Sequence, residues 1–574
     1  MNIPNCSRIS IALVQGSFAV GGVAANVARV KAFYRIAALA KADLVVFSEM
    51  TVPGYPPEDL LLSKSFQKRC IEALRECTEM TSAGGPAMLI GSIGREARPE
   101  ADADGAALHN AMFLLEGGKI MAQQNKRNLP NYGIFDEPRY FAAGTVPAPM
   151  SWRGVNLGVL ICEEMWSSDL AQALKQQGAE LLIAVNASPF EIGKPEMREK
   201  VAARRVRETA LPLLYVNQVG GHDEWIFDGN GFALDADARA CLRMPGFRED
   251  FRLLRLEKRG ETWCAVAGEV TSRPPDLELA YNALVLGLRD FVLKNGYAGV
   301  LLGLSGGIDS ALAAAIAVDA LGSEQVRALM LPSPYTSQES LEDARECARR
   351  LGIRLDSISI EPGMQAYAAM MAPMFGGEMP ELVIGNNQPR LRAAILMELS
   401  RVERRLLLNT GNKSEMAVGY TTLYGDMCGH YAVLKDVYKT MVYQLAAWRN
   451  ARQEVIPQHI IARAPTAELL PGQADQDTLP PYELLDRILE QLVERRCGVE
   501  ETIAQGFERE VVEYVAAMLH AAEHKRRQSA PGPKIGAMSF WRDRRYPISN
   551  GWYVEQLQRF DGAALARVLD ERKR

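Results

Sequence analysis

Short apolar runs alternate with stretches of helical periodicity along the first 270 residues. Apolar runs of four to seven residues predict buried strands, whereas apolar positions that recur every three to four residues predict a helix, here over residues 23–40. Breaks rich in glycine at residues 117–118, 229–231 and 258–260 predict hairpins, and the two late ones indicate a sheet that ends antiparallel. The predicted strands are residues 9–14, 44–47, 87–93, 111–115, 157–161, 181–185 and 213–217.

The pattern changes near residues 272–276, where two prolines follow a strand and precede a long helical stretch over residues 277–293. We place a domain boundary there, which gives domains of residues 1–271 and 276–574. Beyond it, strands and helices alternate. That alternation is typical of an α/β fold with a doubly wound, Rossmann-like parallel sheet, which binds ligands at the carboxyl ends of its strands. The predicted elements are strands 299–304, 326–331, 353–360 and 406–408 and helices 309–321, 338–351 and 389–404.

Composition narrows the class of protein. The 574 residues are 48% hydrophobic and 24% charged, with a net charge of −5, which is ordinary for a globular protein and weighs against a nucleic-acid partner. The nine cysteines are scattered and contain no Cys-x-x-Cys pair, so we expect neither a zinc nor an iron–sulfur site, and we expect a reducing compartment, the cytoplasm. No apolar run approaches the roughly 18–20 residues of a membrane span.

A glycine-rich run, Gly-Leu-Ser-Gly-Gly-Ile-Asp-Ser at residues 303–310, lies between a predicted strand and a predicted helix. Backbone N–H groups of such a turn converge on an anion, and the helix dipole adds to the attraction. No lysine follows the glycines, so this is not a Walker loop. The run resembles the pyrophosphate-binding loop of enzymes that split ATP into AMP and pyrophosphate. The predicted ATP contacts are Gly303, Leu304, Ser305, Gly306, Gly307, Ile308, Asp309 and Ser310.

Three reactive residues of the first domain each follow a predicted strand. Glu49 follows the strand at 44–47, Lys126 follows the strand of the hairpin, and Cys162 follows the strand at 157–161. Residues at the carboxyl ends of strands converge on one rim. We expect cysteine to be the nucleophile, with a carboxylate to move protons and a lysine that lowers the thiol pKa or stabilises an oxyanion.

The sequences around these residues (47–55, 125–130 and 161–166) resemble the nitrilase superfamily over about residues 8–270. The resemblance implies an αββα sandwich, cleavage of a carbon–nitrogen bond, and a Glu49–Lys126–Cys162 triad. Glu137 is either a supporting carboxylate or a bystander.

A second group of polar residues follows the strand at 406–408. Thr410 can donate to a phosphate or to an adenine edge. Glu415 and Asp309 offer carboxylates to Mg²⁺, which typically takes one or two of them plus phosphate oxygens. The alternative for the stretch at 408–415 is an ordinary N-capped helix.

Further sequences at residues 386–392, 420–426, 434–440, 463–486 and 531–534 resemble the NAD⁺ synthetase family, in its glutamine-dependent form. That family amidates nicotinic acid adenine dinucleotide (deamido-NAD) through an adenylated intermediate, with ammonia passed along a channel. The sequence departs from the family at Cys428–His430 and at Pro389. The resemblance implies glutamine contacts at Tyr132, Ser188 and Lys194, and dinucleotide contacts at Asn386, Glu415 and Lys534. Whether Glu415 binds metal or dinucleotide stays open.

The implied partners are small molecules, namely glutamine, ATP and deamido-NAD, and the chain is expected to form a homo-oligomer, at least a dimer. Residues 466–481 and 525–534 are rich in loop formers, and we expect them to be mobile until ligands bind. The rival hypotheses are an ATP-dependent RNA-modifying enzyme, which should show a basic surface or a catalytic cysteine pair, and a scaffold with an inactive first domain.

Overall fold

The structure is a computed structural model, and it describes residues 7–96, 107–266, 268–377, 379–470, 472–540, 542–552 and 555. The chain divides into two compact units, Met1–Pro274 and Pro275–Arg574. Within the described part, no helix is both long enough and apolar enough to cross a membrane. The eight cysteines that lie in this part are all free.

The first unit contains four helices and fifteen strands in its described residues. The helices are α1 (Val23–Leu39), α2 (Lys64–Met80), α3 (Ser168–Gln176) and α4 (Lys194–Thr209). The strands are β1 (Arg8–Gln15), β2 (Leu44–Val46), β3 (Ala87–Glu96), β4 (Ala107–Glu116), β5 (Lys119–Asn125), β6 (Met150–Trp152), β7 (Val155–Ile161), β8 (Leu181–Asn186), β9 (Leu213–Asn217), β10 (Val219–His222), β11 (Trp225–Asp228), β12 (Phe232–Leu234), β13 (Ala240–Arg243), β14 (Asp250–Arg259) and β15 (Thr262–Ala265).

These strands form a seven-stranded sheet, β15-β14-β1-β2-β3-β4-β5, a six-stranded sheet, β13-β12-β9-β8-β7-β6, and a separate two-stranded sheet, β10-β11. Successive side chains of a strand point to opposite faces. In β1, Leu13 therefore packs between the two sheets with Val159 of β7, while Val14 packs outward in the core of α1 and α2. Helices α3 and α4 cover the outer face of the second sheet, where Leu174 meets Leu182. The predicted αββα sandwich is confirmed.

The second unit is built around a parallel sheet. Its helices are α5 (Asp276–Lys294), α6 (Ile308–Leu321), α7 (Gln338–Leu351), α8 (Glu361–Met371), α9 (Glu381–Glu403), α10 (Lys413–Val418), α11 (Lys439–Asn450), α12 (Gln458–Ala462), α13 (Tyr482–Leu489), α14 (Val499–Ile503), α15 (Arg509–Ala521) and α16 (Glu523–Arg526). Its strands are β16 (Val300–Gly303), β17 (Val326–Met330), β18 (Arg354–Ser357), β19 (Leu406–Asn409) and β20 (Tyr431–Ala432).

The order of this sheet is β18-β17-β16-β19-β20, and every pairing is parallel. The order reverses between β16 and β19. In open α/β sheets the ligand crevice lies at such a switch point, beyond the carboxyl ends of the strands. The predicted Rossmann-like fold is confirmed, and the loops that follow β16 and β19 are brought side by side.

Two predictions about local structure are wrong. Residues 229–231 do not close a hairpin, because β11 pairs with β10 whereas β12 pairs with β9. Helix α9 begins at Glu381 rather than at Pro389. A proline inside a helix costs about 3 kcal/mol. Here Pro389 is buried, and it packs so closely on Gly425 that a Cβ added to Gly425 would lie 2.8 Å from the Cβ of Pro389. Packing therefore offsets the local penalty. The hairpin at residues 258–260 is confirmed by the pairing of β14 with β15.

Candidate active sites

A buried lysine binds two carboxylates near the ends of β2 and β5. Lys126 Nζ donates to Glu49 Oε1 at 2.8 Å and to Glu137 Oε1 at 2.9 Å. The Lys126 side chain is 1% exposed, and both carboxylates are buried as well. A buried cation is stable only when it is paired, so each carboxylate depends on the lysine and the lysine on both. The structure thus places Glu137, whose role the sequence left open, on the same cation as Glu49.

Sequence reasoning missed the neutral donors around these carboxylates. Asn110 Nδ2 donates to Glu49 Oε1 at 2.7 Å, and the backbone N–H of Ala187 donates to Glu49 Oε2 at 2.8 Å. The hydroxyl of Tyr55 donates to Glu137 Oε1 at 3.0 Å. Burial raises the pKa of Glu137 to about 7, although Lys126 opposes the shift. The missed signal was Asn110 itself, a fully buried amide directly before the apolar run of residues 111–115 in β4.

Cys162 directly follows β7 and has a left-handed backbone, with φ of 49°. Burial, followed by the charge on Glu49, raises the pKa of the Cys162 thiol well above its usual range, and Lys126 only partly opposes this. Lys126 does lower the pKa of the thiol, as expected, but burial and Glu49 outweigh its effect. Because Cys162 is a neutral thiol at neutral pH, attack by its sulfur requires a base to remove the proton.

Of the three predicted glutamine contacts, Tyr132 and Ser188 lie on loops, whereas Lys194 begins helix α4. Tyr132 is 57% exposed and donates to Glu163 Oε2 at 2.8 Å. Ser188 follows Ala187, the donor to Glu49, and its Oγ accepts from Arg198 Nε at 3.1 Å. Lys194 is half-buried and is the first residue of α4.

The glycine-rich run of the second unit forms the turn between β16 and α6. Ser305 Oγ accepts the N–H of Gly307 at 3.2 Å and lies 3.2 Å from Ser310 Oγ. Gly306 has φ of 85°, and a Cβ there would lie 2.4 Å from the carbonyl oxygen of Ser340. Glycine is therefore needed both for the left-handed backbone and for the close approach of α7. Ser305 and Gly307 are exposed residues at the amino end of α6, a position that suits a phosphate group.

Beside this loop, a lysine lies between the two carboxylates that were predicted to bind metal. Lys439 Nζ contacts Asp309 Oδ2 and lies 3.7 Å from Glu415 Oε1. Asn412 Nδ2 donates to Asp309 Oδ1 at 2.9 Å. Burial and the charge on Asp309 raise the pKa of Glu415 to about 8, against the opposing effect of Lys439. Asn412 and Lys439 lie in the stretches 408–415 and 434–440, but the sequence pattern assigned no role to either residue.

The loop after β19 confirms the alternative interpretation of its sequence as a capped helix. The Asn412 side chain accepts the N–H of Glu415 at 3.0 Å, while Glu415 Oε2 accepts the N–H of Asn412 at 3.2 Å. This reciprocal capping box begins α10. A capping role does not exclude ligand binding, because Glu415 Oε1 still faces Lys439.

Both loops line a cavity of about 680 Å³ in the second unit. All eight residues of the run 303–310 line it, together with Thr410, Asn386 and Glu415. Lys534 does not belong to this lining; its Nζ contacts the carbonyl oxygen of Ala537 at 3.1 Å and the Asp543 carboxylate at 3.3 Å. The structure thus brings together every predicted residue of this unit except Lys534.

The two segments expected to be mobile are anchored in the structure; Pro471, in the first, lies outside the described residues. In the first segment, Glu468 Oε1 accepts from Ser337, Ser340 and Arg463. In the second, Lys525 Nζ donates to the carbonyls of Gly419 and Thr421, both at 2.7 Å. Carbonyls beyond the end of α10 lack helical partners and are satisfied by such cations. The charge on Lys525 is therefore bound to backbone carbonyls in this structure.

Comparison with models of protein families gives a match in each unit. Residues 10–249 match the family model described as carbon-nitrogen hydrolase, and residues 280–529 match the model described as NAD synthase. The chain is 44% identical over 95% of its length to the glutamine-dependent NAD(+) synthetase of Rhodobacter capsulatus, of which it covers 99%. It is 41% identical to the same enzyme of Acinetobacter baylyi, with 94% of this chain and 98% of that protein covered.

Solved structures agree. The glutamine-dependent NAD+ synthetase of Acinetobacter baumannii in complex with ADP has a TM-score of 0.76 at 39% identity, covering 95% of this chain and 99% of that one. The synthetase of Cytophaga hutchinsonii has a TM-score of 0.80 at 20% identity, covering 96% and 99%, and shows a shared fold.

Proposed function

The chain belongs to the family of glutamine-dependent NAD(+) synthetases, and we propose that its two units divide that reaction between them. The enzyme is a ligase that forms NAD⁺ with ATP as a substrate and glutamine as nitrogen donor. We assign glutamine hydrolysis to residues 1–271 and amidation to residues 276–574. One observation carries the assignment: the buried Glu49–Lys126 pair beside Cys162 lies in one compact unit, and the glycine loop lies in the other.

In the first unit, Cys162 Sγ attacks the side-chain amide carbon of glutamine while Glu49 takes the thiol proton. A base is needed because burial keeps the cysteine protonated. Lys126 stabilises the oxyanion of the tetrahedral intermediate. The proton returns to the leaving nitrogen, ammonia departs, and water then releases glutamate from the thioester. Glu137 shares Lys126 and keeps that cation charged. Tyr132, Ser188 and Lys194 hold the glutamine.

In the second unit, the nicotinate carboxylate of deamido-NAD attacks the α-phosphorus of ATP, and pyrophosphate leaves. The N–H groups of the run 303–310 hold the leaving group, and Thr410 contacts the nucleotide. Ammonia then attacks the carbonyl carbon of the adenylated acid and AMP leaves, giving NAD⁺. Asn386, Glu415 and Lys534 are assigned to the dinucleotide. The complex of the related Acinetobacter baumannii enzyme with ADP supports a nucleotide site in this family.

Asp309 and Glu415, which line the cavity beside the glycine loop, are the carboxylates that would hold Mg²⁺. Within the described residues, no three His, Cys, Asp or Glu side chains form a metal cage by themselves, so phosphate oxygens would have to complete the shell. Mg²⁺ typically takes one or two carboxylates and completes its shell with phosphate oxygens and water. When bound, it would neutralise charge on the pyrophosphate. Glu415 is assigned to metal and dinucleotide as alternatives.

An isotope-exchange experiment tests the adenylated intermediate. The enzyme should exchange labelled pyrophosphate into ATP only when deamido-NAD and Mg²⁺ are present. Glutamine should not be required, because the exchange uses the second unit alone. Exchange without the acid dinucleotide, or none with it, would contradict the assignment.

Three further properties belong to the same proposal. We propose that ammonia reaches the adenylate without release into solution, because ammonium is not a nucleophile. Labelled amide nitrogen from glutamine should then enter NAD⁺ undiluted by external ammonium. We also propose a homo-oligomer, at least a dimer, which light scattering tests. The scattered free cysteines support a reducing, cytoplasmic location.

A further inference from the structure

A single carboxylate joins the two chain segments that carry the reactive groups of the first unit. Glu164 Oε1 accepts the backbone N–H of Arg127 at 2.7 Å, and its Oε2 accepts the backbone N–H of Ile161 at 2.8 Å. Arg127 follows Lys126 in the chain, and Ile161 precedes Cys162. The segment after β5 and the turn after β7 are therefore held to each other through this side chain.

The chemistry of this contact requires an acid. An ionised carboxylate offers two acceptor oxygens, whereas the amide of glutamine offers one acceptor and one donor group. Glu164 is fully buried, and desolvation raises its pKa to about 7. Burying a carboxylate against neutral donors is costly. Such a group is favoured over an amide only where both acceptors are used, as they are here.

The backbone at the nucleophile is itself strained. Cys162 has φ of 49°, a region that is unfavourable for a residue with a side chain. Strain of this kind persists only where surrounding contacts determine the conformation. The Glu164 bonds lie one residue before Cys162 and one residue after Lys126, so they fix both ends of the reacting pair.

We propose that Glu164 is a positioning residue that sets the placement of Cys162 relative to Lys126 by holding the Arg127 and Ile161 backbones. The inference rests on the proposed function, because it presumes that Cys162 is the nucleophile. Glu164 itself touches no reacting atom. Its effect should therefore appear in the rate of the glutamine reaction and not in the binding of glutamine.

The test is Glu164→Gln, assayed with glutamine and with ammonia as nitrogen donor. Because a displacement near 1 Å can cost on the order of 100-fold in rate, we expect kcat with glutamine to fall by about that factor. The KM for glutamine should change by less than about threefold, since removal of a transition-state interaction leaves ground-state binding intact. Ammonia-driven synthesis should be unchanged, which also shows that the variant is folded.

Two further variants make the result specific. Glu180→Gln is the matched control: Glu180 Oε2 accepts the backbone N–H of Asn156 at 3.1 Å in the same unit, and this variant should keep normal kcat. Glu164→Asp keeps two acceptor oxygens on a shorter side chain, so its kcat should lie between those of wild type and Glu164→Gln. If Glu164→Gln loses ammonia-driven synthesis as well, that variant is not properly folded and Glu164→Asp alone tests the proposal. We then expect Glu164→Asp to show a reduced kcat with glutamine and an unchanged KM.

Normal kcat in Glu164→Gln, a rise in KM with unchanged kcat, or equal damage in the Asp and Gln variants would each overturn the proposal. Cys162→Ala separates it from the assignment beneath it. If Cys162→Ala retains glutamine-driven synthesis, the proposed nucleophile is wrong. If Cys162→Ala is inactive and Glu164→Gln is normal, only the role of Glu164 is wrong.

Discussion

The two reactive sites differ in the groups from which they are built and in the substrate that each must bind. In the first unit, Lys126 and its two carboxylates are buried and paired. Lys126 Nζ lies 2.8 Å from Glu49 Oε1 and 2.9 Å from Glu137 Oε1. In the second unit, the glycine loop lines a cavity of about 680 Å³, and Ser305 and Gly307 are exposed residues of that loop. A small amide can be activated by a few fixed charges, whereas a triphosphate needs many donors over a wide surface. Side chains make the first site, whereas the second combines a glycine-rich turn with the side chains of Asp309, Glu415 and Lys439.

The largest expected effect is the loss of one nitrogen donor only. Cys162→Ala should abolish glutamine-driven synthesis, because no other group supplies the nucleophile, and leave ammonia-driven synthesis intact. Steady-state NAD⁺ formation with each donor measures this. Cys241→Ala, which removes a half-buried thiol of the same unit, should leave both rates normal. Parallel loss with both donors in folded Cys162→Ala would break the division between the two sites.

A change at the glycine loop should affect both donors equally. Asp309 is bound by Asn412 and Lys439, and Asp309→Asn removes the charge that balances the buried lysine. Losing one preorganised electrostatic contact typically costs on the order of 100-fold in rate. We expect that loss in synthesis with glutamine, in synthesis with ammonia and in pyrophosphate exchange. Asp319→Asn, on the same helix but paired with Tyr281 and Arg449, serves as control; undiminished exchange in Asp309→Asn would remove Asp309 from the site.

An added side chain should slow the reaction more at Gly306 than at the neighbouring Gly307. Gly306→Ala places a Cβ 2.4 Å from the carbonyl of Ser340 at φ of 85°, whereas at Gly307 the nearest atom would be 3.3 Å away. A left-handed alanine costs about 1–2 kcal/mol, which corresponds to roughly 10-fold in rate. Gly306→Ala should lose about that factor with either donor, and Gly307→Ala distinctly less. Equal kinetics in the two variants would show that the turn geometry does not control the reaction.

Sequence alone reached the architecture and most reactive groups but missed their partners. Periodicity located those strands in which apolar runs and burial coincide, as at residues 213–217. It missed the start of α9, because the penalty for Pro389 is offset by packing that no local pattern reveals. Asn110, Lys439 and Glu164 were missed because their roles depend on contacts across 61, 130 and 37 residues. That burial outweighs the effect of Lys126 on the pKa of Cys162 could not be predicted, because burial depth is a property of the whole fold.

The smallest expected effect concerns pH and follows from a second contrast between the units. In the first, the buried cation Lys126 lies between carboxylates. In the second, His520 on α15 is near Arg544 and Arg526, with Glu523 opposing them; burial and the two arginines lower its pKa to about 4. A histidine with a lowered folded-state pKa binds its proton more readily when unfolded. Stability is therefore unaffected above the unfolded value of about 6.5 and is lost as pH falls toward the folded value.

His520→Gln should remove this dependence. Between about pH 7.5 and pH 5, the wild type should lose about 1–2 kcal/mol of unfolding free energy through this group, because each unit of pKa shift corresponds to about 1.4 kcal/mol. The variant, which cannot take up a proton at this position, should lose correspondingly less over the same interval. Urea unfolding of both proteins at the two pH values measures the difference. If the free energies of both proteins fall equally, the acid sensitivity lies in other groups, and the contrast between a carboxylate-paired lysine and an arginine-flanked histidine has no consequence for stability.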